Sequence, residues 1–282
     1  MSGTILCTTN TCGNISNLEK KTINMVIFLI PVRHPSSAAD YAKTWQLLIN
    51  SLRNIARQTD DNWHAIVTAN KILEIPPDLP LEKLTFLTYN GTAHGHTKTK
   101  WNQQEFLRHM RDKASKRMCG VRYAIEHLRP TWYFMMDADD YVANDLVQTI
   151  HTFPANCQCF TIDCGVTINS ITGEYTLTHG FNQMCGTSIG FSASLIHQHV
   201  NNGKSTIGTL LGEHIFSQSG AYVCKRHQLT DRPYAAYIIH DDNHGLYLWG
   251  ATRLVEQNHI IVSDIDLARL GILGLTSGKN KI

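Results

Sequence analysis

Long apolar runs are missing from this sequence. The longest, Met25 to Val32, falls well short of the roughly 20 residues a helix needs to cross a bilayer. It follows more than twenty polar or mixed residues and ends at Pro31-Val32-Arg33, unlike a secretory signal. Charge of one sign is equally scarce. Lys and Arg number 25 against 23 Asp and Glu, a formal net charge of +2, without the concentrated basic face of a nucleic-acid binder. Internal repeats and low-complexity tracts are absent, which excludes solenoids and linker arrays. With 43% apolar and 17% charged residues, disorder, collagen and coiled coil are excluded as well. What is left is a chain of 282 residues, enough for one large α/β domain or two small ones around a buried core. A cytoplasmic location is expected, with no transmembrane segment, no nucleic-acid partner, and peripheral membrane contact left open.

Eight cysteines are scattered along the chain, at 7, 12, 119, 157, 159, 164, 185 and 224. In a mid-sized chain without a visible signal they are expected to be reduced thiols. Cys157, Cys159 and Cys164 form a C-x-C-x4-C run, which departs from the paired C-x2-4-C of structural zinc sites and is not read as one.

Residues 1–22 show no periodicity and read as a loose leader or a surface segment. Met25 to Ile30 is a continuous β-type run, the pattern of a strand covered on both faces. From Asp40 onward, Tyr41, Trp45, Leu48, Leu52 and Ile55 recur at spacings of three and four, one face of a helix. Asn62 to Asn70 and Leu84 to Thr88 read as the next strands. Strand, helix, strand implies a parallel pair and the opening of a nucleotide-binding α/β half. Residues 102–128 read as helix and Thr131 to Met136 as another buried strand. Cys157 to Thr178 is short-strand material with a turn at Thr172-Gly173, residues 205–217 read as helix, and Ala236 to His240 as a short strand.

The strand ending at Met136 runs straight into Asp137-Ala138-Asp139-Asp140. Three carboxylates within four residues repel one another, and burial raises the cost of their charge. A divalent cation resolves this, and Mg2+ and Mn2+ favour carboxylate oxygens while leaving room for substrate phosphates. Asp137 and Asp139 stand two apart, so an extended backbone puts both on one face. Open α/β sheets bind ligands at the carboxyl ends of their strands, which favours a site here over a turn that caps the following helix.

Taken in order, these pieces resemble the GT-A glycosyltransferases, in particular inverting family-two enzymes. The resemblance covers most of residues 24–250. It rests on the strand ending Ile30-Pro31-Val32-Arg33, the helix carrying Ser51 to Thr59, the strand Trp63 to Asn70, the helix carrying Asp112 to Lys116, and the Asp137-Ala138-Asp139-Asp140 cluster. It implies a three-layer α/β/α GT-A fold with a mixed central sheet. Residues 23–250 would be the catalytic domain, with 23–140 the nucleotide-binding half, 141–250 the acceptor and sugar half, and 251–282 a C-terminal extension.

The same resemblance implies metal-dependent transfer of a sugar from a nucleotide-diphosphate sugar, a UDP-sugar favoured, to a hydroxyl acceptor such as a growing glycan, with inversion. Pro31, Val32 and Arg33 would line base and ribose. Asn70 would face the base, where the family often has an acid. Asp112 and Lys113 would meet base or diphosphate, against the plainer reading of Lys113 and Lys116 as part of a solvated basic helix face with Arg108, Arg111 and Arg117. Asp137, Ala138 and Asp139 would hold ribose, metal and diphosphate, with Mn2+ or Mg2+ on Asp137 and Asp139. Asp140 is a less definite neighbour. Cys185, Gly186 and Thr187 would lie near the sugar. The general base would be Glu213 or His214, histidine standing where the family carries Asp. A further metal ligand would be His240 or His244. His94, His96, His197 and His199 read as chance pairs.

Two other readings stay open. A nucleotidyltransferase would share the sheet and the carboxylates but normally opens with a glycine-rich phosphate loop, and no glycine follows Ile30. A non-catalytic glycan-binding scaffold would also fit the Glu213-His214 departure.

Overall fold

The computed structural model describes residues 5–7, 24–91, 103–170, 172–202, 207–212, 224–240 and 262–272. Along the chain these form β1 (Ile5–Cys7), β2 (Val26–Pro31), α1 (Tyr41–Ile55), β3 (Trp63–Ala69), β4 (Leu84–Tyr89), α2 (Gln103–His127) and β5 (Trp132–Met135). There follow β6 (Tyr141–Val142), α3 (Leu146–His151), β7 (Cys159–Ile162), β8 (Cys164–Asn169), β9 (Tyr175–His179), β10 (Ile189–Ser192) and α4 (Ala193–Asn201). The described elements close with α5 (Ile207–Gly212), β11 (Arg226–Leu229), β12 (Ala235–Ile239) and α6 (Asp264–Leu270). Among the described residues, no helix is long and apolar enough to cross a membrane.

The first half forms as its periodicities dictate. β2 is buried along its whole length because both faces are covered. Val26, Phe28 and Ile30 enter a core shared with α1, while Ile27 and Leu29 enter a second core containing Ala114, Val121 and Ala124 of α2. Helix α1 starts where Asp40 accepts a hydrogen bond from the N–H of Lys43. It buries Trp45, Leu48, Leu52 and Ile55 against the sheet. β2 pairs in parallel with β3 and with β5, and β3 with β4. Ile5–Cys7 of the expected loose leader also joins this sheet, parallel to β4.

Among the described residues, the larger sheet has eight strands in the order β1-β4-β3-β2-β5-β10-β7-β11. β10 runs antiparallel to both β5 and β7. A separate four-stranded sheet has the order β6-β12-β8-β9. This corrects the expected single three-layer α/β/α domain around one mixed central sheet, and the family-two GT-A assignment that carried that architecture is set aside with it. The switch between sheets takes one residue. β7 ends at Ile162 in the large sheet and β8 begins at Cys164 in the small one. Between them, Asp163 donates its N–H to the Leu229 carbonyl at 2.9 Å and accepts at its own carbonyl from Phe181 at 3.0 Å. An apolar run of short strands does not reveal where one sheet yields to the next. Gly173, at φ 75°, takes the left-handed position in the turn between β8 and β9.

The cysteines also need correcting. Cys159 and Cys224 form a disulfide, whereas Cys119, Cys157, Cys164 and Cys185 are buried and outside any disulfide, the reduced state expected of all eight.

Candidate active site

Because β2, β3 and β5 are parallel neighbours, their carboxyl ends share one edge of the sheet. Val32, Asn70 and Asp137 leave the sheet along that edge. The acidic turn after β5 is the centre of the arrangement, and each of its carboxylates has a different environment.

Asp137 is neutralised by cations. Lys113 Nζ approaches it to 2.8 Å and Arg117 Nη2 to 3.0 Å. Both come from α2, four residues apart and so on one face. Arg117 is only 2% exposed, and its Nη1 donates to the carbonyls of Leu211 at 2.9 Å and Gly212 at 3.2 Å, where α5 ends. The backbone N–H of Asp137 donates to Thr187 Oγ1 at 2.9 Å. Opposite the carboxylate, an added Cβ on Gly186 would stand 2.3 Å from Asp137 Oδ2. Only glycine permits that approach.

Asp139 pairs with His240, whose Nε2 lies 2.8 Å from Oδ2. The pairing of β6 with β12, Tyr141 opposite Ala236 and Val142 opposite Ala235, carries the end of β12 back to the acidic turn. Asp140 is fully buried. It accepts from the Thr187 hydroxyl, from the Cys185 thiol at 3.2 Å and from the Ile238 N–H at 3.3 Å. Burial above all, and then the charges of Asp139 and Asp137, hold its carboxyl well above the usual range. Burial, and then the charges of Asp140 and Asp137, push the Cys185 thiol up. Cys185 and Thr187 thus brace the acidic turn from within. Ala138 contributes its carbonyl, which accepts from Ser51 Oγ at 3.0 Å.

A second group of polar atoms lies between the ends of β2 and β3 and helix α2. Lys116, fully buried, donates to Asp112 Oδ2 at 2.7 Å and to the Val32 carbonyl at 2.8 Å, and stands 5.8 Å from the Tyr89 ring centre. Burial draws its ammonium pKa down against the opposing pull of Asp112. The solvated basic helix face read from the sequence does not hold for Lys116 and Arg117. Asn70 donates through Nδ2 to the carbonyls of Tyr89 at 2.7 Å and Gly91 at 3.1 Å. Its Oδ1, like Oδ1 of Asp112, is buried with no hydrogen-bond partner among the described residues. Buried acceptors are rarely left so, and both require a donor. Pro31 closes β2 opposite Thr68, Val32 is buried and donates to the Thr68 carbonyl at 2.9 Å, and Arg33 follows at the half-buried rim.

Glu213, His214 and His244 lie outside the described residues, as do His94 and His96. His197 bonds the Tyr133 hydroxyl at 2.8 Å. Sequence reading passed over Ser51 and the role of Arg117. The signal for Arg117 was available in its i, i+4 spacing from Lys113.

The donor set discriminates between positions for a divalent ion. Among the described residues no group of three or more His, Cys, Asp and Glu side chains forms a cage. Asp137 already has both oxygens against cations. Asp139 with His240 would offer a divalent ion a carboxylate oxygen and an imidazole nitrogen, a pair that suits Mn2+ better than Mg2+, whose preferred ligands are oxygens.

No protein-family model matches the sequence. No curated protein matches it either. Among solved structures, the chain is similar to S. aureus TarS residues 1–349 in complex with UDP-GlcNAc, with a TM-score of 0.47 at 13% identity, over 78% of this chain and 60% of that one. TarS 1–349 in complex with UDP gives 0.46 at 12% identity over 76% and 60%. The longer TarS structure gives 0.47 at 11% identity over 76% and 37%. This chain therefore spans three fifths or less of those chains, and at this level the likeness bears on no residue's role.

Proposed function

We propose that this protein transfers a glycosyl group from a nucleotide-diphosphate sugar, a UDP-sugar favoured, to a hydroxyl acceptor such as a growing glycan. The observation that carries this reading is the acidic turn at the carboxyl end of β5, with Asp139 joined to His240 and Asp137 to two cations.

The roles follow from the chemistry at each position. Oδ1 of Asn70 and Oδ1 of Asp112 accept N–H or O–H donors of the nucleoside, and Pro31, Val32 and Arg33 border it. Asp139 and His240 would hold Mg2+ or Mn2+, which supplies positive charge against the diphosphate when bound. Lys113 and Arg117 add cationic charge beside Asp137, which would offset the further negative charge the diphosphate gains as its bond to the anomeric carbon breaks. Gly186, without a side chain, lets the Asp137 carboxylate and the Lys113 ammonium close against its backbone at the wall the sugar would meet. Glu213 or His214 takes the acceptor proton as its oxygen attacks the anomeric carbon, and a single displacement inverts that centre.

The test is a thermal-shift panel of nucleoside diphosphates with and without Mn2+. A ligand that binds the folded state raises the melting temperature by mass action. One base is expected to stand out, with the larger shift when metal is present, and the matching nucleotide sugar then to release free nucleoside diphosphate. No shift with any base overturns the donor site. Release of pyrophosphate from nucleoside triphosphates would replace it with nucleotidyl transfer.

A further inference from the structure

The acidic turn is held from behind by an unusual feature of α1. Most of that helix's buried face is apolar, yet Ser51 and Asn54, together with Gln58 in the turn that follows, are 0%, 5% and 6% exposed. Their spacings of three and four place them in one line along the helix. Each reaches the backbone of the segment that carries the acids. Ser51 Oγ donates to the Ala138 carbonyl at 3.0 Å. Asn54 Oδ1 accepts from the Val142 N–H at 2.8 Å. Gln58 donates through Nε2 to the Ala143 carbonyl at 2.7 Å and accepts at Oε1 from the Val147 N–H at 2.9 Å. One residue further, the Thr59 N–H donates to the Asn144 carbonyl at 2.7 Å.

β6 explains why this is needed. It is two residues long and, among the described residues, has a strand neighbour on one side only, β12. The N–H of Val142, turned away from β12, and the N–H of Val147, in the first turn of α3, would be buried without these partners if α1 and the turn after it offered only apolar side chains, whereas the Ala143 carbonyl also accepts from the Leu146 N–H at 3.1 Å. Apolar packing is also non-directional and would tolerate a slip along the helix, whereas two carboxamides bonded to named backbone atoms fix one register. That register decides the β6–β12 pairing, and through it the bond of Ile238 N–H to Asp140 and of His240 to Asp139. Asn54 carries the linkage further, since its Nδ2 donates to the Leu270 carbonyl at 2.8 Å. Arg269 of the same helix, α6, closes on Asp145 at 2.6 Å.

We infer that Ser51, Asn54 and Gln58 are positioning residues, a polar seam that keeps Asp139 in register with His240. Their consequence for metal-assisted donor binding rests on the proposed glycosyl transfer, while the seam itself does not.

The experiment compares Asn54→Ala, Gln58→Leu, Ser51→Ala and Ser51→Thr with the unaltered chain. Amide hydrogen exchange is read over residues 138–147, and UDP affinity is measured in EDTA and in Mn2+. Exchange in 138–147 is expected to rise about tenfold in N54A and Q58L beyond any rise in the β2 and β3 peptides. UDP affinity in EDTA is expected to stay within about twofold, while the gain conferred by Mn2+ falls about tenfold. S51A should be intermediate and S51T close to the unaltered chain, because the hydroxyl is what matters. Uniformly faster exchange with an unchanged Mn2+ gain would reduce the seam to general stability and overturn the inference. An unaltered chain that binds no nucleoside diphosphate sinks the functional reading alone, and exchange over 138–147 still decides the seam. If N54A does not fold, the S51A and S51T pair carries the same comparison.

Discussion

Gly186 faces Asp137 without room for a side chain, since a Cβ there would meet Asp137 Oδ2 at 2.3 Å and Lys113 Nζ at 3.0 Å. Asp137 has little freedom to yield, being short and bound by two cations from α2. Gly186→Ala is therefore expected to displace the carboxylate from its ion pairs. A stability loss of about 1–3 kcal/mol is expected from the overpacking. Turnover should fall by about tenfold or more, as a misplacement near 1 Å at a reacting centre does. Denaturant midpoints and donor turnover check the two effects separately.

Arg117 is a buried cation with fixed partners on two elements, the Asp137 carboxylate and the final carbonyls of α5. Arg117→Met removes the cation and leaves those acceptors inside the protein, with an expected loss of about 3–5 kcal/mol. Arg117→Lys keeps one point charge without the fork, and should recover only part of it. Urea unfolding of both variants gives the comparison.

Asp139 and His240 are expected to act together on the metal and not on the base. Asp139→Ala and His240→Ala should each abolish most of the additional thermal shift that Mn2+ gives with UDP, and the double variant should be little worse than either single one. Asn70→Ala should instead weaken nucleotide binding with and without metal by about tenfold, the range of one buried hydrogen bond lost. Equal metal responses in the unaltered protein and D139A would remove the metal from the proposal.

His64 gives the stability a defined acid limb. It is 8% exposed on β3, bonded to Thr85 Oγ1 at 2.9 Å, and burial lowers its pKa to about 4. The unfolded chain keeps the ordinary value near 6.5 and binds the proton first as pH falls. The native state's preference for the neutral ring is therefore in full effect above pH about 6.5 and is lost progressively down to about 4, a contribution of about 3 kcal/mol at most. His64→Gln, which keeps a donor for Thr85, should flatten the pH dependence of the unfolding free energy in that window.

Much of the first half was legible along the chain. The uninterrupted run at Met25 to Ile30 marked a strand buried on both faces, and the spacing of Trp45, Leu48, Leu52 and Ile55 marked the helix above it. Such signals are local, because burial imposes a period on the residues of each element. The carboxylates of the acidic turn were visible for the same reason, as three like charges at the end of an apolar strand. The second half was read less well. Its strands are short, β10, α4, β11 and α6 gave no clear period, and the one-residue passage at Asp163 from the large sheet to the small one has no sequence signature.

Sequence alone determined which side chains were available: the aspartates, the basic residues of α2, the small residues at 185–187 and the histidines after β12. Only the tertiary structure decided how they are used. It set Asp137 against Lys113 and Arg117, buried Asp140 under Thr187 and Cys185, brought His240 to Asp139 across a hundred residues of chain, and turned Ser51 and Asn54 of α1, with Gln58 just beyond it, toward the acidic segment. Those pairings join positions far apart in the chain through sheet register and helix packing, and such long-range geometry leaves no periodic trace in either partner.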